Sequence, residues 1–306
     1  MLRTVDSAAP VMNVVTPRRG VVEHLRGVWR YQELLLGLVR KELKVKYKKS
    51  ALGFLWSMLN PAMYLVVFYV VFQIVLGSGI PSFAIYLLSG LLVWNLFANS
   101  LSGATGAITG NHSLVNKVYF PREILPLASV GANLVHFFLQ ALVLLLVLAV
   151  FRYSVPLSYT WLVLPALVVL LVFTSACAIF LSAANVYARD TQHLLELALL
   201  AWFWMTPIVY QWFLPAEKLV GRGLPAALTL LNPITTITLT FQRGIYGQTA
   251  FIDPNDTSQR LQQLLPFESQ LWDLRNLAIV GVVSVVLFVL AMRLFARVET
   301  NFAEEL

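Results

Sequence analysis

Apolar residues in this chain come in long unbroken blocks, without the alternation of a water-facing strand or the one-sided stripe of a surface helix. Six blocks are long enough to cross a bilayer as helices, which takes about 20 residues. They are 59–77, 83–102, 127–151, 161–184, 197–213 and 277–294. The first five hold no Asp, Glu, Lys or Arg, and the sixth holds only Arg293, at its end. A chain in lipid must satisfy its own backbone, so the pattern predicts an all-α integral membrane bundle of six transmembrane helices. A further block, 224–247, is apolar but broken at Asn232–Pro233 and carries Arg243. A seventh crossing there would invert the sidedness of Arg293 and Arg297. Two half-helices that dip in and return, a re-entrant segment, fit better.

The stretch 21–50 has a different rhythm. Val22, Leu25, Trp29, Leu36 and the run 39–43 recur at helical spacing beside six basic residues between Arg40 and Lys49. It predicts an amphipathic interface helix, either in the headgroup plane with its basic face toward anionic membrane lipids or packed on the bundle. The expected organisation is a disordered tail over 1–20, the interface helix over 21–50 and the six-span domain over 51–306.

Composition agrees. The chain is 58% hydrophobic and 12% charged, with a mean hydropathy of +0.74, whereas soluble domains are roughly 45–50% apolar and about 25% charged. The first 56 residues are too charged for a secretory signal peptide. The one cysteine, Cys177, falls inside the fourth span and reads as a small apolar residue.

The net charge of +7 matters through its distribution. Eleven Lys or Arg precede the first span, and Lys117, Arg122, Arg189, Arg293 and Arg297 share their side. The opposite side carries Arg152, Lys218, Arg222, Arg243, Arg260 and Arg275, mostly in one long segment. The positive-inside rule puts both termini in the cytoplasm. The charged stretch "NKVYFPREILP" between the second and third spans is then a cytoplasmic loop. Its three charges at mid-bilayer would cost about 8–10 kcal/mol. Pro121 breaks the loop, and Pro126 is expected to start the third span.

Much familiar chemistry is missing. No G-x-x-x-x-G-K-[ST] occurs, so the chain lacks the phosphate-cradling loop of P-loop ATPases. H-E-x-x-H and C-x-x-C are absent, and His24, His112, His136 and His193 are scattered without metal-ligand spacing. No carboxylate lies deep in a span, which argues against ion-coupled transport. The spans are polar in another way. Ser129, Asn133, His136 and Gln140 form one helical stripe, and Asn95, Asn99 and Ser102 another. These stripes fit either interhelical hydrogen bonds or the wall of a hydrophilic path. Tyr64, Phe68 and Phe72 stack at four-residue intervals, with Trp56 before them and Trp204 in the fifth span. Such rings fit interface anchoring or a ligand with apolar faces and hydroxyl edges, as sugars have.

Several separate stretches together carry a resemblance: "LVRKELKVKYKKSALGFLWSMLNP", "GLLVWNLFANSLS", "NHSLVNKVYFPREILPLASV", "NVYARDTQHLLELALLAWFWMTPIVY" and "LNPIT". In this order and spacing, over roughly 31–295, the chain resembles the membrane subunits of ABC-2 type exporters for lipid-linked polysaccharides, those of O-antigen and teichoic acid. The segments 1–20 and 249–272, with "LTFQRGIYG", look most like actinobacterial relatives that export galactan. The resemblance implies the type V exporter fold and a non-enzymatic permease at the bacterial inner membrane. It further implies a homodimer served by two copies of an ATPase subunit that holds the Mg-ATP, with no cofactor in this chain and no nucleic acid among its partners. The cargo it implies is a polyprenyl-diphosphate-linked glycan moving outward. By position, coupling to the ATPase would fall on Asn111, Lys117, Tyr119, Pro121, Arg122, Glu123, Arg189 and Asp190. The channel would be lined by Trp56, Tyr64, Phe68, Phe72, Asn95, Asn99, Asn133, His136, Gln140 and Trp204, and Asn232–Pro233 would lie between outer gate helices.

Physics favours such a partnership independently. Six helices enclose little space for a polymer, so two copies around a shared path are expected. Without its own nucleotide loop, the chain has to receive energy through a contact. Two alternatives stay open: an ABC-2 permease for a drug or lipid, with a more apolar pocket, and a membrane glycosyltransferase. The latter needs a carboxylate cluster. The candidates Asp253, Asp256, Glu268 and Asp273 read better as a solvated outer loop.

Overall fold

A computed structural model describes residues 21–48, 56–118, 120–252, 261–266 and 268–305. The expected tail over 1–20, the end of the interface helix at Lys49–Ser50, the coupling candidate Tyr119 and the carboxylates Asp253 and Asp256 lie outside these residues.

The interface stretch forms two helices, α1 (Val21–Arg30) and α2 (Gln32–Tyr47), broken at Tyr31. The first apolar block is α3 (Trp56–Phe68), continuing directly into a π-helix over Tyr69–Val75. Then come α4 (Phe83–Thr105), a short α5 (His112–Lys117) and α6 (Ile124–Val150). After these follow α7 (Leu157–Thr160), α8 (Val163–Tyr187) and α9 (Thr191–Met205). A short α10 (Phe213–Val220) and a 3-10 turn over Ala226–Leu231 lead to α11 (Pro233–Ile245). A two-stranded antiparallel ribbon, β1 (Ala250–Ile252) with β2 (Leu261–Gln263), pairs Phe251 with Gln262. The long α12 (Gln270–Val298) and the terminal α13 (Phe302–Glu305) close the chain.

Among the described residues, four helices are long and apolar enough to cross a membrane: Phe83–Thr105, Ile124–Val150, Leu157–Tyr187 and Gln270–Asn301. They coincide with the second, third, fourth and sixth blocks. The fifth block differs. Its helix, α9, stops at Met205 because Thr206 precedes Pro207 and is extended, with φ −107° and ψ 129°. At 15 residues α9 is about 22 Å long, short of a full crossing. The third span begins at Ile124, earlier than Pro126 alone predicts. Pro126 sits in the first turn, where its missing N–H costs no intrahelical bond. The sixth extends outward past its apolar block to include Asp273 and Arg275.

Two apolar clusters hold the bundle. The larger joins α4, α6, α8 and α11 through Phe97, Phe137, Leu170, Phe173, Ile237 and Phe241. The smaller lies at the end where α2, α5 and the chain terminus meet, and contains Leu38, Ile108, Phe120, Ile124, Ile179 and Phe295. The interface helix packs tightly here: a Cβ at Gly131 of α6 would come within 2.9 Å of Val39 of α2. Glycine at this position lets the two backbones approach. Elsewhere large apolar side chains face outward, including Phe138, Leu142, Leu145 and Leu146 of α6 and Val282, Val285 and Val286 of α12. A belt of that size suits lipid and not water.

Candidate functional site

The two loops expected to receive energy lie side by side. The turn at Thr109–Asn111 and the α8–α9 corner border a cleft of about 460 Å³ lined by Thr109, Gly110, His112, Asn185, Arg189 and Gln192. Lys41 of α2 donates to Asn111 Oδ1 at 2.7 Å, and Asn111 Nδ2 donates to Ala107 O at 2.8 Å, so the interface helix is tied to the cleft rim. Asn185 is buried in the wall, and its Oδ1 has no hydrogen-bond partner among the described residues. Arg189, Asp190, Lys117 and His112 are exposed, as a docking rim requires.

Arg122 and Glu123 are placed otherwise. Glu123 is fully buried at the start of α6. Arg122 is half-buried, donates to the Glu299 carbonyl, and lies over the Phe302 ring at 5.8 Å. Phe302, itself fully buried, meets Phe295 edge-on at 5.3 Å and Tyr187 at 6.1 Å. Tyr187 OH in turn donates to Val298 O at 3.0 Å. The C-terminal turn thus bridges the loop before α6, through Arg122, and the α8–α9 corner, through Tyr187. Pro121 is half-buried and would meet a Cβ at Gly27 of α1 at 3.2 Å. Sequence reasoning could not separate the inward charges from the outward ones, because the partner of Arg122 lies 177 residues away.

The expected channel residues separate into two groups. On α3, Tyr64 is exposed and stacks on Phe68 at 6.1 Å. Phe68 stacks on Phe203 of α9 at 5.9 Å, and Phe72 on Phe83 of α4 at 6.3 Å. Trp56 and Trp204 are about half exposed, and Trp204 touches Phe203 edge-on at 5.5 Å. The α3 row and the α9 rings therefore form one aromatic surface, with Phe203 as the unpredicted link. The polar stripe forms the second group. Asn95 Nδ2 donates to Gln140 Oε1 at 3.0 Å, Asn133 Nδ2 donates to Ser129 O in its own helix at 2.9 Å, and His136 is buried. Ser129 Oγ donates to Glu42 Oε1 of α2 at 2.8 Å. Burial of Glu42 pushes its carboxyl above the ordinary range, against the opposing pull of Ser129 and the neighbouring Lys41 and Lys46. The α6 stripe is thus engaged with α2 through Ser129 and with α4 through Gln140, while Asn99 and Ser102 of the α4 stripe are open to the surface.

At the opposite end, Asn232 caps α11 by accepting from Ile234 N at 3.1 Å. Its Oδ1 also accepts from Trp202 Nε1 at 2.8 Å, and its Nδ2 donates to Thr206 Oγ1 at 3.0 Å. Pro233 occupies the first turn of α11, where its ring suits the helix start. Arg243, near the end of α11, pairs with Asp273 of α12 at 3.3 Å and donates to Pro266 O and to the Glu268 carbonyl. Its guanidinium also lies 4.7 Å over the Tyr159 ring. Asp273 is therefore no solvated loop carboxylate; it is buried because Arg243 needs a counter-charge. Among the described residues, no three His, Cys, Asp or Glu side chains converge as a metal site requires.

Comparison with known proteins bears on these features. The family model described as ABC-2 type transporter matches residues 33–235. The "O-antigen export system permease protein RfbA" of Myxococcus xanthus is 32% identical over 286 residues, covering 94% of this chain and 100% of that protein. A Klebsiella pneumoniae protein of the same description is 30% identical over 210 residues, 69% of this chain and 79% of its own. The "Polysialic acid transport protein KpsM" of Escherichia coli matches at 31% over 81 residues, 26% of this chain and 31% of that one.

Proposed function

This chain belongs to the ABC-2 type transporter family as an integral membrane permease subunit, and on that premise we propose that it moves a polyprenyl-diphosphate-linked polysaccharide from the cytoplasm to the outer side. Two copies enclose the path, and two copies of a separate ATPase subunit power it. The chain crosses six times with both termini inside. In this reading the fifth crossing is completed by the irregular residues 206–212, and the turn over Ala226–Leu231 with α11 forms the re-entrant outer gate. The aromatic surface of Tyr64, Phe68, Phe203 and Trp204 faces the sugars, because rings offer apolar faces that tolerate hydroxyl edges.

The observation that carries the reading is the open inner-face cleft between Thr109–His112 and Asn185–Gln192. It gives a chain without a nucleotide loop a place to receive work. Coupling is assigned to its exposed rim, Lys117, Arg189 and Asp190 with Asn111, while Arg122 and Glu123 hold that rim in place from behind.

Co-purification from native membranes tests the assembly: an ATPase subunit should accompany the full chain, and depletion of the chain should leave a lipid-linked glycan on the cytoplasmic side. Arg189→Glu should cut export about tenfold, within ordinary coupling energies, with protein abundance unchanged. Normal export in that variant would remove the coupling assignment. Accumulation of a lipid or drug, with no glycan, would favour the other ABC-2 cargo class.

A further inference from the structure

Asn232 uses both ends of its amide at once. The carbonyl oxygen accepts from the Trp202 indole and from the α11 backbone, and the amide nitrogen donates to Thr206. Thr206 Oγ1 passes its own proton back to Trp202 O at 2.9 Å. Four hydrogen bonds close two separate segments, 30 residues apart for Trp202, into one small network. Trp202 is further fixed by Phe97 at 5.1 Å and Phe173 at 6.3 Å, both edge-on.

The rest of α9 is held far less. Along its 15 residues only Leu195 and Leu199 are buried, while Leu194, Leu197, Leu200, Trp204 and Met205 are exposed. Its first turn borders the inner-face cleft through Gln192, next to exposed Arg189 and Asp190. The helix is thus a short rod with one open side, packed through Leu195, Leu199 and Phe203, reaching the cleft at one end and fastened to the start of α11 at the other. The far end of α11 is fastened separately, by Arg243 to Asp273. Because α11 is itself buried from Ile234 to Gly244, displacing α9 would bear on the junction at its start and on the preceding turn over Ala226–Leu231.

We propose that Asn232 is a positioning residue that, with Trp202 and Thr206, transmits movement of α9 from the inner-face cleft to the re-entrant outer segment. This rests on the coupling reading above. It adds that the route runs through α9 and a hydrogen-bonded junction whose Trp202 and Thr206 carry no other role in that reading.

Two reporters in a Cys177→Ala background of the full chain, with its co-purifying ATPase subunit in membrane vesicles, separate the two claims. His193→Cys reports the inner end of α9 and Leu231→Cys the outer segment beside Asn232; both positions are exposed. Maleimide labelling rates are compared without nucleotide and with Mg-ATP and vanadate. In the parent, both sites should change about fivefold or more, the low end of ordinary coupling. Trp202→Phe keeps the ring but loses the N–H. Asn232→Ser keeps a cap for α11 but cannot span Trp202 and Thr206. In both, the His193→Cys response should persist while the Leu231→Cys response falls below about twofold. An outer response that survives in both variants overturns the junction. A parent that responds at neither site overturns the coupling reading itself.

Discussion

Arg122 and Arg243 do similar jobs at opposite ends of the molecule with different chemistry. Arg122, half-buried beside the C-terminal turn, has the Glu299 carbonyl and the face of Phe302 as its partners among the described residues. Arg243 is only 5% exposed, and it has a carboxylate, Asp273, two backbone carbonyls and the Tyr159 ring. The difference follows from burial. A guanidinium that still reaches water can be steadied by dipoles and a ring, whereas one sealed away needs an opposite charge as well. Arg122 therefore has the weaker hold on its neighbours, and Arg243 the stronger.

Removing a partner tests this contrast most severely at the outer end. Asp273→Ala should cost about 3–5 kcal/mol by leaving a buried cation unpaired, read as lost thermal stability in detergent. The double change Arg243→Met with Asp273→Leu should recover most of it, since an apolar pair has no charge to desolvate. If the single variant melts like the parent, Arg243 is hydrated and the contrast is gone. At the inner end, Arg122→Ala should cost less, about 1–3 kcal/mol for lost hydrogen bonding, and should loosen the C-terminal turn in hydrogen exchange before the bundle melts. Unaltered exchange over 299–305 would show that Phe302 holds the turn unaided.

Smaller effects divide the aromatic surface. Tyr64→Ala should change stability by less than about 0.5 kcal/mol, since the side chain is exposed, yet slow glycan export. Phe68→Ala should lower protein abundance as well, because Phe68 fills the α3–α9 contact against Phe203. Equal losses of abundance in both would reduce Tyr64 to packing.

The smallest expected effect is a pH dependence at Glu42. Burial raises its carboxyl in the folded state above that of a solvated glutamate. Ionisation therefore opposes folding: the penalty is absent below the unfolded value and grows as pH rises through the folded one. Glu42→Gln should melt like the parent near about pH 4 and at a higher temperature near neutrality. A constant difference across that range would mean that Glu42 is solvated.

Local chemistry determined the helical bundle, four of its full-length helices, the interruption at Asn232–Pro233 and the lack of a nucleotide loop, because apolar block length, proline and motif spacing act within a few residues. It also carried the resemblance to the ABC-2 type transporter family, later matched over residues 33–235. Which charges turn inward was not legible. "PRE" and "ARD" look alike as solvated cytoplasmic loops, and only the folded chain brings Phe302 up to cover Arg122 and leaves Arg189 open. The same holds for Asp273, drawn out of an acidic outer stretch by Arg243, and for the Trp202–Asn232–Thr206 junction. These contacts join residues roughly 30 to 180 positions apart. No periodicity records such separations, so tertiary packing alone decided them.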